Sequence, residues 1–272
     1  MNTESSLAQV IRVLIIILIL IILTYLVLYI FQRKLLYFPT PVDKNTIESI
    51  KKRYPNSELF LNTKDNTKLH TWFIDKNSDT TIIYFGGNGE DVNYTILSFL
   101  NNFNYNLATM SYRSYGLSEG SVSQENIFKD VLFFYDYLLS AKKVKKVILI
   151  GRSLGSGIAI YLASKRDIEK IVLISPYDSI LNIAKEQFYF APVSLILKDH
   201  FNAQKYAKNI KNKPLLAIYS TADKVVTMKH SKALIKIWNG EIKILEKDYL
   251  SHNDLLFDIE LIKKIREFII NK

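Results

Sequence analysis

From Val13 to Phe31, nineteen consecutive residues carry no charge, and nearly all are Ile, Leu or Val. A helix of that length spans roughly 28 Å at about 1.5 Å per residue, which is the depth of a bilayer core. The flanks suit a membrane, with Arg12 at one edge and Tyr25, Tyr29, Arg33, Lys34 and Tyr37 supplying an aromatic and basic exit at the other. A cleaved secretory signal has a shorter apolar core and small residues at the cut, and Phe31-Gln32-Arg33-Lys34-Leu35-Leu36 offers none. The stretch therefore reads as an uncleaved single-pass anchor. Residues 1–34 form the N-terminal segment and anchor, with the bilayer contacted through residues 11–31, and 35–272 form a separate body. Arg33, Lys34, Lys44 and Lys51 follow the span, against Arg12 and the amino terminus before it. By the positive-inside rule this balance favours a cytoplasmic body.

Composition narrows the classes open to that body. Apolar residues at 49% and charged residues at 23% fit neither a disordered chain nor a multi-span transporter. The chain has no cysteine, which excludes a disulfide framework, thiol catalysis and Cys-ligated metal sites. No His/carboxylate cluster has ligand spacing, so neither a metal nor another cofactor is expected. The net charge of +10 is dispersed, and its densest cluster is Lys142, Lys143, Lys145 and Lys146. That cluster reads as a solvated helix end or a contact for anionic lipid head groups; without a nucleic-acid motif, nucleic acid is not an expected partner.

Pro39 to Asn56 is polar and punctuated by proline, and reads as a connection to a body starting near Leu59. From there the chain alternates. Short runs rich in β-branched and aromatic residues predict strands at Lys68–Ile74, Thr81–Phe85, Leu107–Tyr112, Lys146–Ile150, Lys170–Ile174, Pro214–Tyr219 and Glu241–Leu245. Helical spacing occupies Tyr94–Asn101, Gln124–Ser140, Gly155–Arg166, His230–Trp238 and Asp254–Ile270. Such alternation implies an α/β fold with a mainly parallel, doubly wound sheet and sites beyond the carboxyl ends of its strands.

The strongest chemical signal is Gly151-Arg152-Ser153-Leu154-Gly155 between an expected strand and an expected helix. In G-x-S-x-G the glycines permit a sharp strand-to-helix turn that exposes the serine oxygen. A serine hydroxyl needs a base to take its proton, and the base needs an acid to hold its tautomer. Of the four histidines, His70 lies within a strand pattern, while His200 and His230 fit surface or packing roles. His252, in the polar loop Leu250–Asp254 before the final helix, satisfies both the order Ser, acid, His and a strand-end position. Asp223, four residues beyond Tyr219, is the expected acid; Asp178 in Ser175-Pro176-Tyr177-Asp178-Ser179 is the competitor, and is also suited to capping a helix. For the oxyanion, the backbone N–H of Leu154 and one from Phe85-Gly86-Gly87-Asn88-Gly89-Glu90 are expected, with Asn88 preferred over its glycine neighbours. A phosphate-binding reading of that loop fails for want of a P-loop Lys-Ser/Thr or a G-x-G-x-x-G pattern.

Together, the elbow GRSLGSG, the loop YFGGNGED, the turn Tyr112–Gly120, the acid loop and the His-Asn-Asp segment resemble the alpha/beta-hydrolase superfamily from about Leu35 onward. More narrowly, the chain is similar to its small membrane-anchored branch, related to FrsA-like and dipeptidyl-peptidase-like hydrolases and to lipid esterases and depalmitoylases. The resemblance implies Ser153 as nucleophile, Asp223 as acid, His252 as base and oxyanion amides at Asn88 and Leu154. Many relatives carry His-Gly where this chain has Gly86-Gly87, and in such proteins the Tyr112–Gly120 turn, with Arg113 and Tyr115, is scaffold.

The insert Ile180–Ile210 is long enough only for a small helical lid, and its face Phe188–Val193 with Leu195–Leu197 is either core packing or an acyl-binding wall. The expected substrate is a small-molecule or lipid carboxylic ester or thioester. A serine peptidase acting on short peptides and a non-catalytic membrane-tethered module are the alternatives.

Overall fold

A computed structural model describes residues 3–271, so Met1 and Asn2 of the expected anchor segment and the terminal Lys272 lie outside the described residues. The apolar run forms a single helix, α1 (Thr3–Leu36), which continues past the expected end of the span and includes the expected boundary at 34/35. Its residues from Leu7 to Leu36 are long and apolar enough to cross a membrane. Its last turn carries Arg33 and Lys34, cations that suit the negative end of a helix dipole.

Eight strands form one sheet: β1 (Glu58–Asn62), β2 (Lys68–Ile74), β3 (Thr80–Phe85), β4 (Asn106–Met110), β5 (Lys146–Arg152), β6 (Lys170–Ile174), β7 (Leu215–Ser220) and β8 (Ile242–Lys247). Their order is β1-β2-β4-β3-β5-β6-β7-β8, with β1 and β2 antiparallel to their neighbours and the remaining pairs parallel. The mainly parallel sheet is as expected. Because side chains alternate across a strand, β3 sends Ile83 and Phe85 into one core and Ile82 and Tyr84 into the other.

Helices cover both faces. The chain runs through α2 (Lys44–Arg53), α3 (Val92–Ser98), α4 (Gln124–Ala141), α5 (Leu154–Ala163), α6 (Ile180–Gln187), α7 (Val193–Ile196), α8 (Ala203–Ala207), α9 (Met228–Ile235) and α10 (Ile259–Ile270). Two elements went unread in the sequence. Helix α2 lies in the presumed connection and buries only Ile47 and Ile50, too few apolar positions to establish a period, although Asp43 caps it by accepting from the Asn45 N–H. Strand β1 is an edge strand whose Phe60 stays exposed.

The insert 180–210 divides. Its last part, with Ala203, Ala207 and Ile210, joins the core beneath α5, whereas α6 has no buried residue and Phe188, Tyr189, Phe190 and Leu195 are exposed. Core packing thus accounts for α8 and not for the aromatic stretch.

Candidate active site

Ser153 stands at the end of β5 with φ 50° and ψ −119°, a backbone conformation that an L-residue holds only under constraint. The constraint is visible: its N–H donates to Ile174 O on β6 at 2.8 Å. The flanking glycines are obligatory, since a Cβ on Gly151 would lie 2.4 Å from Gly155 O and one on Gly155 would lie 2.0 Å from Phe85 O. The turn therefore presents the hydroxyl at the carboxyl end of the sheet.

Two loops bring partners to it. His252 Nε2 lies 3.0 Å from Ser153 Oγ, and His252 Nδ1 lies 2.7 Å from Asp223 Oδ2. Asp223, after β7, is buried and accepts four hydrogen bonds: Oδ2 from His252 and from Ser175 Oγ at 2.9 Å, and Oδ1 from the N–H groups of Val225 and Val226, each at 2.9 Å. Burial is the largest influence on this carboxyl and acts to raise its pKa. Hydrogen bonding and charge from His252, with the two amides, outweigh burial and leave it below its ordinary value. With the carboxylate ionised, Nδ1 keeps its proton and Nε2 is free to accept from the serine hydroxyl. Ser153, Asp223 and His252, 70 and 29 positions apart in the chain, thus form one hydrogen-bonded line.

Asn88 and Leu154 line the same cleft as Ser153, and neither backbone N–H has a protein acceptor among the described residues. Gly87 differs, because its N–H donates to Glu90 Oε2 at 2.7 Å. The Asn88 side chain is engaged elsewhere: Nδ2 donates to Leu36 O, and Oδ1 accepts from Phe38 N–H and from Tyr115 OH at 2.6 Å.

Sequence reasoning missed the brace beneath these groups. Arg152, inside the elbow motif, is buried and pairs with Glu90 at 2.8 Å while donating to Asn253 Oδ1 at 2.8 Å and to His252 O at 3.4 Å. Glu90 in turn accepts from Tyr84 OH, Thr95 Oγ1 and the Gly87 N–H. One ion pair thereby links the glycine loop, the elbow and the histidine loop. The available signal was a charged residue at each of two positions flanked by glycine.

The remaining candidates lie apart from Ser153. Asp178 pairs with His230 Nδ1 at 2.8 Å and accepts from Asn182 Nδ2 on α6, so the competing acid serves another histidine. His70 is buried beside Glu58, and His200 faces Leu197 O. Arg113 holds Asp130 and Asp65 within the scaffold. Among the described residues, no group of three His, Asp or Glu is placed to hold a metal ion.

Above Ser153 opens a cleft of about 920 Å³, lined on its body side by Tyr177, Ile180, Ile183, Phe188, Val225 and Val226. The cleft thus joins a mainly apolar wall to a hydroxyl hydrogen-bonded to an imidazole, with Asn88 and Leu154 beside it.

A family model described as the alpha/beta hydrolase fold matches residues 80–195. An uncharacterized membrane protein of Saccharomyces cerevisiae is 30% identical over 261 residues, 90% of this chain and 91% of the yeast protein. The chain belongs to the alpha/beta-hydrolase superfamily. Within that superfamily it is similar to the alpha/beta hydrolase domain-containing protein aho-3 of Caenorhabditis elegans, 28% identical over 199 residues that cover 71% of this chain and 58% of the worm protein. Among solved structures it is similar to the esterase Pf2001 of Pyrococcus furiosus, with a TM-score of 0.69 and 25% identity over 86% of this chain and 98% of that one. These matches agree with the α/β fold expected of an alpha/beta hydrolase.

Proposed function

We propose that this chain is a membrane-anchored serine hydrolase that cleaves a carboxylic ester or thioester through an acyl-enzyme. The observation that carries the reading is the hydrogen-bonded line Ser153–His252–Asp223 at the end of an apolar cleft. Alpha/beta-hydrolase membership and an esterase among the similar structures support it.

In this reading His252 Nε2 takes the Ser153 proton as Oγ attacks the substrate carbonyl carbon. The negative charge moves to the carbonyl oxygen, which the Asn88 and Leu154 amides receive, and Asp223 stabilises the imidazolium. Collapse breaks the bond to the alcohol or thiol, which leaves with the proton from His252. Water, deprotonated by the same nitrogen, then attacks acyl-Ser153; collapse breaks the bond to Oγ, which regains its proton from His252 as the acid leaves. The helix dipole of α5, whose first residue follows Ser153, favours the negative intermediate. No step calls on a metal or another cofactor.

Residues 35–272 carry this chemistry in the proposal, with residues 1–34 as anchor, and the basic residues after the span favour a cytoplasmic active site. Protease protection of sealed vesicles holding the full chain tests that side. A fluorophosphonate probe tests the chemistry: the wild-type protein becomes labelled and Ser153→Ala does not. Folded wild type that stays unlabelled would instead be a membrane-tethered binding module.

A further inference from the structure

The anchor helix is fastened to the lid where it meets the body. Gln32, itself buried, donates Nε2 to Ile196 O at 2.8 Å and accepts the Lys198 N–H at 2.6 Å. Arg33 pairs with Asp199 at 2.9 Å and 3.3 Å, and Tyr37 OH donates to the same carboxylate at 3.0 Å. The Lys198 ammonium sits 3.8 Å from the centre of the Tyr29 ring. Together these contacts set the direction in which α1 leaves the body.

That direction makes α1 part of the cleft. Ile17, Leu20, Thr24, Leu28 and Gln32 line the same opening as Ser153, and their spacing of three and four places them on one helix face. From Ile17 to Gln32 this face runs roughly 22 Å, most of a bilayer core. The Thr24 hydroxyl on this face is already satisfied by Leu20 O at 2.8 Å, so it makes no polar demand on what lies against it. Opposite stand Ile183, Phe188 and Phe190, and next to them Tyr189 and Leu195 are 86% and 83% exposed. A side chain with that much apolar surface uncovered is at ease in lipid and not in water.

We propose that α1 is a wall of the acyl-binding site: the acyl chain of a membrane-borne ester or thioester lies along the Ile17–Gln32 face, enters sideways from the bilayer and delivers its carbonyl to Ser153. The proposal rests on the serine-hydrolase reading above and assigns its substrate a long apolar chain. Drawing such a chain into water is unfavourable for every methylene exposed, whereas along α1 it exchanges lipid neighbours for Leu and Ile side chains. Leu20 and Leu28 then set how much chain the site accepts.

The test uses the full chain in phospholipid nanodiscs and follows labelling of Ser153 by an ethyl and a hexadecyl fluorophosphonate. Leu28→Trp and Leu20→Trp narrow the α1 face, and Leu26→Trp places the same bulk on the opposite side of the helix. The expected result is that both face variants slow hexadecyl labelling by about tenfold or more while ethyl labelling stays within about twofold, and that Leu26→Trp alters neither rate. Unchanged hexadecyl labelling in the face variants, or equal slowing of both probes, overturns the proposal while ethyl labelling of Ser153 leaves the hydrolase reading standing. Wild type that neither probe labels at Ser153 overturns both.

Discussion

Two histidine–aspartate pairs lie beyond the carboxyl ends of neighbouring strands, and they differ in what faces the second imidazole nitrogen. In His252–Asp223 the Nδ1 contact is 2.7 Å and Nε2 points at the Ser153 hydroxyl; in His230–Asp178 the Nδ1 contact is 2.8 Å and Nε2 lies 3.5 Å from Glu186. The first pair has the Ser153 hydroxyl at its end, and Ser153 lines a cleft. The second has a carboxylate there and ties α6 to α9 beneath the lid. Equal geometry at Nδ1 therefore does not set a histidine's role; the pairs differ in the group at Nε2, and the proposed mechanism assigns proton transfer to the one that faces a hydroxyl.

Substitutions can break or sharpen that contrast. The largest effect is expected for Asp223→Asn, which leaves His252 with the wrong tautomer and lowers kcat on an ester substrate by about 10³–10⁴-fold with the fold intact. A loss no greater than that of the matched Asp178→Asn variant would break the contrast. Arg152→Met comes next, because the first pair is braced through Asn253 and the second has no such support. It leaves buried Glu90 unpaired, and chemical denaturation should register a loss of about 3–5 kcal/mol. His230→Gln is smaller, with about 1–3 kcal/mol of stability lost at buried Asp178 and esterase turnover within about threefold of wild type.

The smallest effect separates histidine environments by pH. Burial foremost lowers the pKa of His70, against the opposing pull of Glu58, so its contribution to stability is complete above the unfolded value of about 6.5 and is lost as pH falls through the lower folded value. Asp223, also held below its ordinary value, contributes above about pH 3.9 and loses that contribution in stronger acid. Melting temperatures measured from neutral to acid pH should fall in two stages, with His70→Gln reducing the first and Asp223→Asn lessening the second, which other paired carboxylates such as Asp65, Asp136 and Asp258 share.

The groups that line up at Ser153 were legible because each is announced locally: a glycine-flanked serine between strand and helix, an aspartate just past one strand, a histidine just past the next. The sheet was legible for the same reason, most of its strands being short apolar runs buried at nearly every position because helices cover both faces. What escaped reading depends on partners far apart in the chain. Arg152 and Glu90 are 62 positions apart, and Arg33 and Asp199 are 166 apart, so neither pair leaves a periodic trace. Helix α2 and strand β1 escaped because the body asks so few apolar side chains of them. Asp178 was a fair competitor on position alone, and only the fold reveals that His230 had claimed it.

Asn88 is held from the anchor side, through Leu36 O and the Phe38 N–H, and the turns just before carry Gln32, Arg33 and Tyr37 into the body. Anyone preparing a water-soluble version therefore meets a boundary problem. A truncation through residue 38 removes the apolar span together with two of the three side-chain partners of Asn88 and the Arg33 and Tyr37 ties to Asp199, while a chain starting at Gln32 or earlier keeps them. The shorter protein would fold around its sheet and still have a slack glycine loop, so an inactive soluble fragment would say more about where it was cut than about the enzyme.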